Sequence, residues 1–158
     1  MGPKITSFNF AYLIQVVLGY KLPIDSGEVM TSDESRIAWL GPDEFLIQSA
    51  DQKKLEIMNG IKEILHNQFY AITDVSDYYL TIRLSGKKSF EVLSKGCPLN
   101  FKEYLTKKNT CAQSYISKAT VLMDRLPDKC TIDILVRWSF AAYLWNWLAD
   151  SAAEFYDN

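Results

Sequence analysis

From residue 10 onward apolar side chains return at intervals of three and four. Phe10, Leu13, Ile14, Val17 and Leu18 therefore line one side of a predicted helix. Asn9 stands ahead of them as a cap, and Gly19 follows where a left-handed residue ends the turn. The polar stretch KLPIDSGEVMTSDES breaks this periodicity and leaves only Val29 and Met30 for a short edge strand. In RIAWLGPDEFLIQ two β-prone runs flank Gly41-Pro42-Asp43-Glu44. The proline presets the backbone of a tight turn and the aspartate can bond to it, so a hairpin is predicted. Over residues 51–67 the spacing is helical again, with Leu55, Met58, Ile61 and Leu65 on one face and Lys and Glu between them.

YAITDVSDYYLTIRLSG returns to a period of two and is read as a second hairpin. Tyr78, Leu80, Ile82 and Leu84 point to the core, while Tyr79, Thr81, Arg83 and Ser85 point the other way. Ser85-Gly86 leads into a short helix with Phe90, Val92 and Leu93, closed by Gly96 and Pro98. Strands are predicted near 112–117, 119–126 and 131–136, with Pro127-Asp128 turning between the last two. Strands joined by tight turns must be antiparallel, so the class is α+β, antiparallel sheets with packed helices. Two strands followed by a helix recur, which points to two ferredoxin-like halves. A length of 158 residues suits a single domain, 1–158, with a full hydrophobic core.

The last helix, RWSFAAYLWNWLAD, holds three of the four tryptophans. Ser139 is its expected N-cap. Phe140, Tyr143, Leu144, Trp147 and Leu148 fall on one stripe, the expected core face. Trp145 projects to one side beside Ala141, Leu148, Ala149 and Ala152, so the apolar arc covers more than half the circumference. Two readings follow: a helix buried on two sides by its own domain, or a surface on which Trp145 and its alanine flank meet a partner.

Net charge is −2 with both signs mixed along the chain, against the basic face a nucleic acid requires. The pairs Lys53-Lys54, Lys87-Lys88 and Lys107-Lys108 read as solvated edges. Cys97, Cys111 and Cys130 are odd in number and lack C-x-x-C spacing. Neither a disulfide framework nor a zinc site is indicated, and a reducing cytoplasm fits. AYLIQVVLGY is interrupted by Gln15 and lacks a following cleavage site, so it reads as a helix and not as a signal segment. No apolar run is long enough to span a bilayer. MGPKIT meets only the bare myristoylation pattern and is set aside.

Catalytic equipment is sparse. The only histidine, His66, reads as a favourable charge partner at a helix C-terminus rather than a base. SGKKS could offer amides to a phosphate, but no Walker or G-x-G-x-x-G spacing occurs and a strand-to-helix turn explains it. Asp74 and Asp77 could form paired carboxylates, yet Asx-turn bonding accounts for them. Cys97, at a helix end, reads as structural. No catalytic or metal-ligating residue is assigned; a subunit fits better than a stand-alone enzyme.

Four segments, WLGPDEFLI, DVSDYYLTIRLSG, LSKGCPLNF and RWSFAAYLWNWLADSAAEF, together resemble the gamma subunit of heterotetrameric sarcosine oxidase. The resemblance runs from about residue 10 to residue 155. It implies an accessory, non-catalytic chain in a four-chain flavoenzyme that oxidatively demethylates sarcosine to glycine, using oxygen and passing the one-carbon unit to tetrahydrofolate. It further implies alpha, beta and delta subunits as partners, with FAD, FMN, NAD and tetrahydrofolate held by them and no cofactor in this chain. The fold it implies is that of the folate-binding domain of the glycine-cleavage aminomethyltransferase. Asn100 stands about where that transferase has a folate-contacting aspartate, and an amide cannot act as a base or charge partner. Two alternatives remain: an independent folate-binding or aminomethyltransferase-like protein, and a homo-oligomer of the isolated chain built through its aromatic helix. For the leading reading, the partner interface is placed at Trp145, Ala141, Leu148, Ala149 and Ala152.

Overall fold

The computed structural model describes residues 7–107, 109–128 and 130–155. The MGPKIT pattern and Lys108 lie outside the described residues, as do the side chains of residues 7–11. The chain forms two compact units that divide between Thr73 and Asp74, each with its own sheet and core.

In the first unit α1 (Ser7–Leu18) precedes β1 (Val29–Thr31), β2 (Ser35–Gly41), β3 (Glu44–Ser49) and α2 (Asp51–Ile64). Gly19 adopts φ +76° and donates its N–H to the Gln15 carbonyl at 2.8 Å, the expected left-handed stop. Asn9 lies inside α1 and is not its cap, because the helix begins two residues earlier. The strands form an antiparallel sheet in the order β1-β2-β3, and β2 and β3 are the predicted hairpin. Ile14, Leu22, Ile37, Ile61 and Leu65 are buried together, with Val17, Phe45, Ile57 and Ile64 packed around them. Leu55, expected on the core face of α2, is 66% exposed. Ile57, Ile61, Ile64 and Leu65 form a second helical register of equal regularity, and packing selects that one. At Gly60 a methyl group would stand 2.9 Å from Cγ1 of Val17, so the absence of a side chain lets α1 and α2 approach.

The second unit contains β4 (Tyr79–Ser85), α3 (Ser89–Ser94), α4 (Phe101–Tyr104), β5 (Thr110–Ile116), β6 (Ala119–Arg125), β7 (Thr131–Arg137) and α5 (Trp138–Ala152), which runs into a 3-10 turn at Ala153–Phe155. The four strands are antiparallel in the order β4-β7-β6-β5. The second hairpin expected before residue 85 is a single strand. Its partner is β7, in register from Tyr79 opposite Arg137 to Ser85 opposite Thr131. Asp74 accepts from the N–H and hydroxyl of Ser76 at 2.9 and 2.6 Å, closing a turn where the other arm was expected. Asp128 accepts from the Thr131 N–H at 3.0 Å and makes the predicted turn into β7.

Ile82, Ile132, Ile134, Val136, Val121 and Met123 from the sheet form one core with Val92 and Leu93 of α3 and Leu144, Leu148 and Ala152 of α5. Tyr78 and Leu80, expected to join Ile82 in that core, are exposed. Leu80 lies at the start of an edge strand that only β7 flanks, and Tyr78 precedes that strand. The α+β class holds, and two strands followed by a helix recur as β2-β3-α2 and β6-β7-α5.

Candidate functional site

The aromatic helix α5 begins at Trp138, one residue before the expected cap Ser139, and no side chain caps its first turn. Its buried residues are Leu144, Leu148 and Ala152, with Ala141 and Trp147 partly buried against the same core. Phe140 and Tyr143, placed on the core stripe from spacing, are 39% and 38% exposed, and their rings meet edge to face at 6.2 Å. The correction has a steric cause. With more than half of the circumference apolar, periodicity does not choose the inward arc. Trp147 instead fits against Gly96, where a methyl group would stand 2.8 Å from its Cη2.

The proposed contact residues divide accordingly. Leu148 and Ala152 are buried core and supply no free surface, whereas Ala141 is partly buried against that core. Trp145, 61% exposed, and Ala149 remain accessible. They continue a flank that the sequence reading missed: Trp138, Ala142, Trp145 and Ala149, spaced i, i+4, i+7 and i+11, all exposed. That spacing was legible as a stripe of alternating large and small residues.

Each remaining candidate is engaged within its own local structure. His66 follows α2, exposed, with Nδ1 2.8 Å from the Glu63 carbonyl and Nε2 2.6 Å from the Asn67 amide. In SGKKS the Ser89 hydroxyl donates to the carbonyls of Gly86 and Cys130 at 2.7 and 3.0 Å, and Lys88 pairs with Glu91 at 2.8 Å. These contacts build a turn. Cys97 and Cys111 are buried, Cys130 is partly buried, and none of the three is in a disulfide. Among the described residues no cluster of three His, Cys, Asp or Glu side chains forms that could hold a metal ion. Arg83 and Asp133 form a two-pronged pair across β4 and β7 at 2.7 and 2.8 Å, and the carboxylate holds the guanidinium pKa above its ordinary value.

Asn100 precedes α4, exposed, and donates through Nδ2 to Glu103 Oε2 at 3.3 Å. It borders an open cleft of about 430 Å³ lined by Phe90, Leu99, Phe101, Leu105 and Arg125, among others. Arg125 donates to the Leu105 carbonyl and lies 5.2 Å over the Phe90 ring. Its charge is thus tied into the wall.

The chain thus combines an α+β fold with an exposed aromatic flank on α5. Residues 4–154 match the model of the "Sarcosine oxidase, gamma subunit family". The chain belongs to that family. It is 31% identical over 150 residues to the sarcosine oxidase subunit gamma of Corynebacterium sp. (strain P-1), covering 94% of this chain and 72% of that one. Identity is 28% over 143 residues to the corresponding subunit of Arthrobacter sp., covering 90% and 69%. Among solved structures it is similar to a chain of the heterotetrameric sarcosine oxidase from Corynebacterium sp. U-96 in complex with pyrrole 2-carboxylate. That match has a TM-score of 0.83 and 26% identity, and covers 98% of this chain and 77% of the other. No helix among the described residues is long and apolar enough to cross a membrane.

Proposed function

We propose that this chain is an accessory subunit of a cytoplasmic heterotetrameric sarcosine oxidase, assembled with alpha, beta and delta subunits. The complex demethylates sarcosine oxidatively to glycine and passes the one-carbon unit to tetrahydrofolate. FAD, FMN, NAD and folate sit in the partner subunits, and this chain contributes no catalytic group. Trp145 and Ala149 lie on its docking surface. The observation that carries the reading is the fold match over 98% of the chain to a component of a heterotetrameric sarcosine oxidase.

The test is recovery of the tagged full chain from its native host, with mass spectrometry and a flavin absorbance spectrum of the eluate. Three further sarcosine oxidase subunits and bound flavin are the expected result. A colourless chain recovered alone would overturn the reading. Calorimetric titration of the isolated chain with tetrahydrofolate addresses the independent folate-binding alternative, and no saturable heat is expected.

A further inference from the structure

We infer that the chain apart from its partner subunits forms a two-fold symmetric dimer, in which β4 pairs with β4 of a second copy and the exposed flanks of the two α5 helices meet above the joined edge. The inference goes beyond the proposed function. That reading gives Trp145 and Ala149 to a different subunit, so dimer and complex use one surface and exclude each other.

β4 is an outermost strand of its sheet, flanked by β7 alone, and its seven residues carry no proline and no bulge. The Trp138 N–H donates to the Tyr78 carbonyl at 3.1 Å, in step with the register that sets Tyr79 opposite Arg137. Antiparallel alternation then turns the backbone groups of Leu80, Ile82 and Leu84 to β7, and those of Thr81, Arg83 and Ser85 to the open edge. The last three residues are all exposed. Self-pairing about a dyad at Ile82 uses the whole strand: Thr81 meets Arg83 of the second copy, Ser85 meets Tyr79 and, on the α5 side, Leu80 meets Leu84. It also covers Leu80, which is 46% exposed in the single chain. A dyad at Arg83 opposes two like charges, and one at Thr81 leaves Leu84 and Ser85 without partners.

α5 lies over β4 and β7. On one side of it Trp147 packs against Gly96, just past α3. α3 itself sits toward β6, where Arg125 lies over the Phe90 ring and the Ser117 N–H donates to the Gly96 carbonyl. Trp138, Ala142, Trp145 and Ala149 occupy the opposite side of α5, above the open edge of β4. Pairing the two β4 strands therefore sets the α5 axes two strand spacings apart, about 9.6 Å, within the roughly 8–10 Å of packed helices. The same dyad makes the helices antiparallel. Pairing midway between Tyr143 and Leu144 places Trp138 against Ala149 and Trp145 against Ala142 of the second copy. That midpoint lies about 8 Å along α5 from Trp138, and Ile82 lies about 10 Å along β4 from Tyr79, so one axis serves both pairings. Large against small at each level is the self-complementarity that a two-fold interface needs, and it identifies the occupant as a second copy. The two tryptophans are 61% and 68% exposed. With an edge about 24 Å long and about 10 Å thick, they present on the order of 500 Å² per copy, near the roughly 600 Å² per partner of the smallest stable interfaces.

Sedimentation equilibrium of the purified full chain, from micromolar to near-millimolar concentration, tests the dimer with wild type, Thr81→Pro, Trp145→Glu and Tyr104→Glu. Proline at position 81 removes an N–H aimed outward, a place where an edge strand tolerates it. Tyr104 is an exposed aromatic on α4 and serves as the control. Wild type is expected to pass from monomer to dimer across the range. Thr81→Pro and Trp145→Glu should each weaken association at least about tenfold, as loss of an interface anchor does, and Tyr104→Glu should match wild type. A wild type that stays monomeric, association unaltered in either surface variant, or equal weakening by all three overturns the dimer. If a variant does not fold, amide exchange of wild type at the two ends of the range decides. Slower exchange at Thr81, Arg83 and Ser85 in the concentrated sample supports the pairing, and unchanged exchange at all three overturns it. Neither measurement needs a partner subunit, so the outcome is separate from that of the recovery experiment on the proposed function.

Discussion

The indole of Trp147 lies against Gly96 so closely that a methyl group on the glycine would overlap Cζ2 and stand 2.8 Å from Cη2. This contact sets the rotation of α5. With one edge of the helix seated beside α3, Leu144 and Leu148 turn onto the sheet and Phe140 and Tyr143 turn away. Gly96→Ala should destabilise the chain by about 1–3 kcal/mol, the usual cost of overfilling a packed site. In a Trp147→Ala background most of that cost should vanish, because the clashing ring is gone. A double-mutant cycle by denaturant unfolding checks the coupling, and additive effects would refute it.

Leu144→Ala and Trp145→Ala should differ sharply although the residues are adjacent. Leu144 is fully buried, so truncation costs about 2–5 kcal/mol. Trp145 is largely exposed, and its truncation should change stability by less than about 0.5 kcal/mol. Thermal melts of the two variants make the comparison directly, and equal losses would place Trp145 in the core.

Lys95 fastens the end of α5. Its Nζ donates to the Ser151 carbonyl, pairs with Glu154 at 2.6 Å and lies 4.9 Å over the Phe155 ring. A cation there also meets the negative end of the helix dipole. Lys95→Met should cost about 1 kcal/mol and speed amide exchange over residues 151–155 while leaving β6 and β7 unchanged. Unaltered exchange at the helix end would show that the contacts contribute nothing.

Arg83→Gln should cost about 1 kcal/mol, since the two-pronged geometry lifts the pair above the ordinary surface ion pair and solvent exposure of the arginine limits the gain. The folded-state pKa of Arg83 is raised above its already high ordinary value by the Asp133 carboxylate. Its contribution is therefore fully present below the unfolded pKa and is lost only as pH rises through the folded one. Stability near neutral pH should show no titration from this guanidinium. The wild-type advantage should shrink in about 1 M salt as screening shortens the reach of the charges, and chemical denaturation at two salt concentrations measures it.

Most elements were legible because their signals are local. Gly19 ends α1 as a left-handed residue, Pro42-Asp43 turns β2 into β3, and Pro127-Asp128 turns toward β7. Each depends on a few neighbouring dihedral angles. The hairpin expected before residue 85 failed because the alternation of β4 declares a strand without declaring its partner, and β7 lies some fifty residues away along the chain. Leu55 failed for a related reason: α2 carries two apolar registers, and only the packed core distinguishes them.

The amino-acid sequence by itself determined the α+β class, most helices and strands, and the resemblance to the gamma-subunit family, because periodicity, turn chemistry and motif order are properties of the chain. Tertiary structure alone decided which arc of α5 is buried. That arc depends on the space left by Gly96, on the side chains of four strands and on the turn at Ser117, none of which is local to the helix. For the same reason Leu148 and Ala152 became core, while Tyr78 and Trp138, far apart in sequence, became joined by a backbone hydrogen bond. A contact made through strand pairing leaves no spacing to read, because its residues become neighbours only after long-range hydrogen bonds and core packing have brought them together.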